Sequence, residues 1–413
     1  VTLDAARFDH FSHAGYHRPT TPEIDRLAAE SLVFTEAFAL APYTMCSFPT
    51  MLSGISFLEH GVTERGRSLA ADTVTLAEVL RDAGYRTVAF STNPNKSRAT
   101  GTDQGYDEYH ELWTDESLEE VVDPEILTGK ALDVIANHDD ARPLHLQLHY
   151  MPPHAPYAPA PEYDRYTDPD YQGPSDGSHR TINRLDAGRL SPGDGCLAHV
   201  IGLYDGGLLA ADASVGRLLD ALRDRPRWRN TVVLITSDHG EAFLEHRRTS
   251  HNSTVYDEML HVPFILRLPD GFDRGIVDTD RLATLADIFP TLLATASLRP
   301  PGGIDGVNLL APPDPTLAGD RYFVTRTTGT APTYGLRTQN WNLVLPGSGH
   351  GALYNLHKDP RERQNRRFVN LPVYVTLGQL LTAQLASPGP IQAEASELSD
   401  TDREMLEALG YVE

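Results

Sequence analysis

The chain has 413 residues, enough for one large α/β domain with an appendage or for two or three average domains. Hydrophobic residues make up 40% and charged residues 22%, a globular composition that excludes a disordered or fibrous chain. With 57 Asp and Glu against 35 Lys and Arg the formal charge is −22, a surface that repels nucleic acid and anionic membranes. A small anionic partner would need a local positive centre such as a metal ion. The two cysteines, Cys46 and Cys196, exclude a disulfide framework, and no run of ~18 apolar residues marks a membrane span. No basic-plus-apolar leader opens the chain, so a cytoplasmic location is the expectation. The opening "VTLDAARFDH" nevertheless reads as the last half of a strand.

In chain order, "VTL" ends in Asp4, with Arg7 close behind. "APYTMCSFPTMLSG" places Thr44 before a predicted helix, where a threonine is ordinarily an N-cap. "TLAEVLRDAGYRTVAF" gives one α/β unit: Leu76, Val79 and Leu80 at helical spacing, Gly84 as the stop, then a buried strand from Thr87 to Phe90. "LHLQLHY" alternates like a strand and runs into "MPPHAPY", which carries His149 and His154 across its end. From Pro156 to Asp194 the chain is rich in Pro, Gly, Asp and Ser, and reads as a loop able to face a substrate. "TVVLITS" is a β-branched run suited to a central parallel strand, followed at once by Asp238-His239-Gly240. After about residue 311 short strands ("RYFVTRT", "YGLRT", "WNLVLP") precede a helical end ("VYVTLGQLLTAQLA", "DREMLEALGYV").

Strand–helix alternation predicts an α/β fold, a large mixed or parallel sheet with helices on both faces. The expected division is a catalytic domain over 1–310 and a smaller α+β subdomain over 311–413 that completes the cleft. Ligand sites in such sheets lie at the carboxyl ends of strands. Asp4, the pair Asp238-His239 and the stretch from His149 to His154 all stand at such ends. Asp238 and His239 can offer two ligands to one cation, with Gly240 letting the chain turn and approach closely.

The order of these segments resembles the sulfatase-type members of the alkaline phosphatase superfamily, nearly end to end. "LDAARFDHF", "GYHRPTTPEIDRLAAESLVFTEAFALAPYT", "SFPTMLSG" with "EHGV", "HYMPPHAPY", "TSDHGE", "VYDEMLHVPFILRLP", "LADIFPTLLATA" and "ALYNLHKDPRERQN" follow the family's sequence. The resemblance implies a single divalent site held by Asp4, Thr44, Asp238 and His239, with Thr44, ten residues before Gly54, in the nucleophile position. It implies that His154 and His251 face the substrate, and that Arg7 lies near the nucleophile, orienting Thr44 or bracing its loop. His149 reads equally as a strand-end histidine with a structural role. Mixed ligation of this kind favours Mn or Zn, with Ca and Mg remaining open.

Several positions depart from the family. Cys46 lacks the Pro/Ala and Arg that follow the cysteine converted to formylglycine in typical sulfatases, and reads as a small buried residue. "STNPNKS" stands where a Lys-Trp-His segment is usual, Asn252 where a sulfate-binding lysine is usual, Ala5 where a second Asp is usual, and Pro152 where some relatives have Asp. The threonine nucleophile, the missing Lys-Trp-His segment and Asn252 favour phosphorus over sulfur esters, whereas Ala5 and Pro152 leave fewer carboxylates and favour a single metal. The expected function is therefore a phosphodiester, phosphomonoester or phosphonate ester hydrolase acting through a phosphothreonine on a small anionic ester. A sulfatase, a phospho-group transferase and a non-catalytic binding protein are the competing readings. Oligomeric state has no signature in the sequence.

Overall fold

The computed structural model describes residues 1–115, 123–138, 141–193, 195–312, 321–386, 389, 393–396 and 398–409. Eight strands form the main sheet in the order Ile276–Asp278, Leu32–Phe34, Phe264–Arg267, Val233–Ser237, Thr2–Leu3, Leu144–Tyr150, Arg86–Ser91, Glu108–Glu111. Thr2–Leu3 pairs in parallel with both neighbours, whereas Phe264–Arg267 is antiparallel to both of its own, so the sheet is mixed. The predicted strand runs over Leu144–Tyr150 and Val233–Ser237 both lie in the buried centre, where β-branched and leucine side chains pack on two faces.

Helices cover both faces. Pro22–Ala28, Pro124–Ala136 and Cys196–Arg223 bury Ile24, Leu27, Leu127, Ala131, Leu208 and Val215 against Val88, Leu148 and Ile235 of the sheet. The other face carries Thr44–Ser53, Leu76–Asp82 and Ile288–Thr295. Leu76–Asp82 opens with a capping box between Thr75 and Glu78, and Gly84 follows at φ +92°, the predicted stop.

The C-terminal strands Tyr322–Arg326, Tyr334–Thr338, Trp341–Leu345 and Ala352–Asn355 make an antiparallel meander, followed by helix Leu371–Leu385. Their buried Phe323, Leu336, Leu343, Leu353 and Leu381 share one continuous core with Phe38, Cys46, Phe48 and Met51. The boundary expected at 310/311 abuts residues 313–320, which lie outside the described residues, as do Asp194 and 410–413. The segment from Pro156 onward is less open than its composition indicates: it contains helix His179–Asp186. Ser178 caps that helix, and Ile182 and Leu185 bury with Val200, Leu203 and Phe243. Two apolar residues at helical spacing behind an N-cap serine outweigh the surrounding glycines and prolines.

Strand register brings two carboxylates together. Thr2 lies opposite His149 and Thr236, and Leu3 opposite Tyr150 and Ser237. Asp4 and Asp238, each one residue further on, therefore emerge side by side at the carboxyl end of the central strands. An apolar cavity of about 380 Å³, lined by Val1, Leu144, Leu146, Trp228 and Val233, lies at the amino end of the same strands and contributes none of these groups. Among the described residues, no helix is long and apolar enough to cross a membrane.

Candidate metal centre and active site

Asp4, Asp238 and His239 are fully buried, and their ligand atoms lie within 4.8 Å of one another. Each has one polar atom secured by the protein and a second directed at a shared point. Asp4 Oδ2 accepts from Asn93 Nδ2 at 2.7 Å, whereas Oδ1 has no hydrogen-bond partner. Asp238 Oδ1 accepts from the amides of Ala5 (3.3 Å) and His239 (3.1 Å), whereas Oδ2 has none. His239 Nδ1 donates to the Gly240 carbonyl at 2.9 Å, which makes Nε2 the basic nitrogen. That Nε2 lies 3.5 Å from Asp4 Oδ1 and 3.6 Å from Asp238 Oδ2.

Two orphaned buried carboxylate oxygens and one oriented imidazole nitrogen fit a divalent cation. Without a cation, burial and then the charge of Asp238 push the Asp4 carboxyl well above its usual range. Gly240 serves this arrangement by close approach: a Cβ there would sit 2.3 Å from the Glu258 carbonyl, while its amide bonds the Met259 carbonyl at 2.8 Å. The sharp turn expected of it is not its role.

Thr44 is the first residue of helix Thr44–Ser53, which Gly54 ends at φ +72°. Its Oγ1 lies 3.4 Å from His239 Nε2 and 3.4 Å from Asn93 Nδ2, so the fourth predicted group joins the other three. The helix amino end adds a favourable dipole for an anion. Cys46 comes two positions later, ~200° round the helix. It is buried in the core, where burial pushes its thiol up to about 12.

The histidines take separate places. His149 Nε2 stands 3.4 Å from Asp4 Oδ2, and its ring packs edge-on against Phe48 at 5.1 Å, so it lies behind Asp4. His154 Nδ1 donates to the Ala155 carbonyl at 2.5 Å, and its ring centroid is 4.9 Å from that of His251. His251 lies 4.5 Å from His239, with Nδ1 3.3 Å from Glu241 Oε1. Burial, reinforced by the neighbouring imidazoles, holds His154 and His251 well below the usual histidine range. In its neutral form His154 therefore presents an acceptor nitrogen at Nε2, as a base does. Burial lifts the Glu241 carboxyl to about 7.

Arg7 corrects an expectation. Its guanidinium binds Asp9 (2.9 and 2.8 Å), Glu245 (2.5 Å) and the Glu241 carbonyl (3.0 Å). Of the two roles considered, these contacts fit the brace: Asp9, Glu245 and the Glu241 carbonyl hold the arginine against the loop after Asp238-His239, and among the described residues its guanidinium has no hydrogen bond to Thr44. Asn252 is likewise committed elsewhere, its Oδ1 accepting from Thr328 N (3.1 Å) and Thr328 Oγ1 (2.8 Å).

Sequence reasoning misses Asn93, although it follows strand Arg86–Ser91 at the carboxyl edge where the other site residues stand. It lies in "STNPNKS", a segment that stands out in the sequence only for the residues it lacks. Lys96 of the same segment is fully buried, its Nζ 4.8 Å above the Phe48 ring and without a hydrogen-bond acceptor. Burial lowers its ammonium to about 7.

Fold and ligand set are those of the sulfatase-like ester hydrolases of the alkaline phosphatase superfamily, a family whose enzymes are metal-dependent. The model of the family described as Sulfatase matches residues 1–298, and the chain belongs to that family. It is 27% identical over 390 residues to the uncharacterized sulfatase YidJ of Escherichia coli, covering 84% of this chain and 78% of that one. A phosphonate monoester hydrolase of Agrobacterium radiobacter shares the fold at TM-score 0.75 and 21% identity, covering 93% of this chain and 94% of that one. A structure in complex with D-glucosamine-2-N,6-O-disulfate also superposes at TM-score 0.75, with 20% identity over 94% of this chain and 98% of that one.

Proposed function

We propose that this chain hydrolyses phosphate-type esters, a phosphodiester, phosphonate ester or phosphomonoester, through a covalent phosphothreonine on Thr44. The observation that carries the reading is the meeting of the Thr44 hydroxyl with Asp4, Asp238 and His239 at the first turn of a helix. Held by those residues, a divalent ion would lower the pKa of the Thr44 hydroxyl and offset charge on the non-bridging oxygens. Carboxylate, imidazole and hydroxyl donors suit Mn or Zn better than Ca or Mg.

Thr44 Oγ1 forms a bond to phosphorus as the bond to the alcohol oxygen breaks. His251, neutral and with Glu241 beside its Nδ1, takes the proton Thr44 loses and passes it to that oxygen, and His154 Nε2 accepts one from the incoming water. Water then attacks phosphorus and Thr44 Oγ1 departs. The proton lost by Thr44 ends on the alcohol, and one proton of the water returns to Thr44. Asn93 holds Asp4 and Thr44 in register throughout. The C-terminal strands are tied to the loop that carries His251 by the Asn252–Thr328 hydrogen bonds.

Phosphorus is favoured over sulfur because a threonine sulfate lacks the aldehyde-forming exit open to formylglycine hydrate, and because Asn252, not lysine, bonds Thr328. A sulfate ester is the second reading, motivated by the family and by the relative solved with a disulfated glucosamine. A metal-supplemented screen of aryl phosphate mono- and diesters, phosphonates and sulfates decides between them, with Thr44→Ala as control. Diester or phosphonate turnover exceeding sulfate turnover, lost in the control, is the expected result. Full activity in Thr44→Ala, or turnover of sulfates alone, contradicts it.

A further inference from the structure

Four histidine rings, beginning with the metal ligand His239, lie in successive contact. Ring centroids lie 4.5 Å apart for His239 and His251, 4.9 Å for His251 and His154, and 6.5 Å for His154 and His179. His179 enters this series from helix His179–Asp186, in the segment whose composition reads as loop. Its Nε2 is buried and has no hydrogen-bond partner. A buried polar atom left so costs ~1–3 kcal/mol unless a bound group satisfies it.

The helix is tied to the neighbours of the other two substrate-side histidines. Asp186 accepts from Thr249 N (2.9 Å) and Arg248 Nη1 (3.1 Å), two and three residues before His251. The Ile182 carbonyl accepts from Thr249 Oγ1 at 3.1 Å, and the Gly177 carbonyl from Tyr157 N at 2.9 Å, three residues after His154. Such bonds tie the helix that carries His179 to the segments that carry His251 and His154.

We propose that His179 is a substrate-binding residue that hydrogen-bonds the alcohol portion of the ester, just beyond the bond that breaks. Its ring contact is with His154, and among the described residues it is not one of the groups that meet at Thr44 and the metal ligands. It therefore selects a leaving alcohol with a hydroxyl beside the ester oxygen, as in a polyol, over a plain alkyl alcohol. This inference rests on the reading of Thr44 and its neighbours as an ester-cleaving site and adds the class of alcohol.

The test measures binding in the Thr44→Ala background, so that turnover does not intervene. Glyceryl and propyl esters of phenylphosphonate are compared, as are glyceryl and propyl sulfate, each in the metal-supplemented protein. The glyceryl ester is expected to bind more tightly than its propyl partner. Adding His179→Ala weakens the glyceryl ester about tenfold and the propyl ester less than twofold, and His179→Gln, which keeps an N–H donor, recovers part of the loss. Equal weakening of both esters, no change in either, no glyceryl preference in the parent, or no binding of any of the four overturns the proposal. Whether wild-type enzyme cleaves the phosphonates or only the sulfates bears on phosphorus against sulfur, so the two readings fail separately.

Discussion

Replacing Asn93 with alanine removes a side chain that, like His239, touches both Asp4 and Thr44. The bond from Nδ2 to Asp4 Oδ2 is short at 2.7 Å and fully buried, and Asn93 Oδ1 also accepts from Asn95 N at 2.9 Å. Each such bond contributes about 0.5–1.5 kcal/mol, so metal-free protein, in which burial raises the Asp4 carboxyl, should lose roughly 1–3 kcal/mol of stability. Activity should fall further than stability implies. With Asp4 and Thr44 no longer in register, a shift on the order of 1 Å at the nucleophile costs ~10²-fold in rate, or about 2.7 kcal/mol of barrier. Denaturant melts monitored by circular dichroism and steady-state kinetics at saturating metal measure the two effects, and kcat is expected to fall while KM changes little. Asn93→Asp, nearly the same shape, should be still less stable without metal because a second carboxylate then faces Asp4 Oδ2, and the deficit should shrink as metal is added. An Asn93→Ala enzyme with wild-type kcat would refute the placement of this residue between ligand and nucleophile.

Lys96 gives a prediction about pH. Burial brings its ammonium from 10.5 down to about 7, so between those values the unfolded chain binds the extra proton and stability rises with pH. The cost of burying the charge is fully present below pH 7. Lys96→Met should therefore stabilise the fold by something on the order of 4 kcal/mol at pH 6 and about 2 kcal/mol at pH 9. Equal gains at the two pH values, or a loss at both, would contradict this reading. Cys46, buried with its thiol raised to about 12, should resist iodoacetamide in the folded protein at pH 8, and its peptide should carry the mass of unmodified cysteine. An aldehyde mass at position 46 would restore the sulfatase reading, and Cys46→Ser should leave ester turnover within about a few-fold of wild type.

The sequence carried the fold through its strongest periodicities. "TVVLITS" and "LHLQLHY" were legible as central strands because buried parallel strands leave runs of apolar and β-branched residues. Strand ends then pointed to Asp4, Asp238 and His239, and the family resemblance, through its register from Gly54, implied Thr44. The direction of Phe264–Arg267 was not legible, since an antiparallel strand in a mixed sheet has the same apolar run as a parallel one. Arg7 could not be placed because sequence spacing does not give the direction of a long side chain, and Asp9 and Glu245 decide it. Asn93 escaped because an amide in a polar loop does not stand out as metal ligand or acid–base group. His179 escaped because glycine and proline around it masked Ser178, Ile182 and Leu185, whose spacing was a readable helix signal.

The central claim is that Asp4, Thr44, Asp238 and His239 surround one cation. A crystal grown with Mn and measured at its absorption edge tests this most directly. One anomalous peak is expected, about 2.0–2.3 Å from Asp4 Oδ1, Asp238 Oδ2, His239 Nε2 and Thr44 Oγ1. A map with no peak among these atoms, or with the ion bound while the Thr44 hydroxyl stands beyond its coordination sphere, would contradict it.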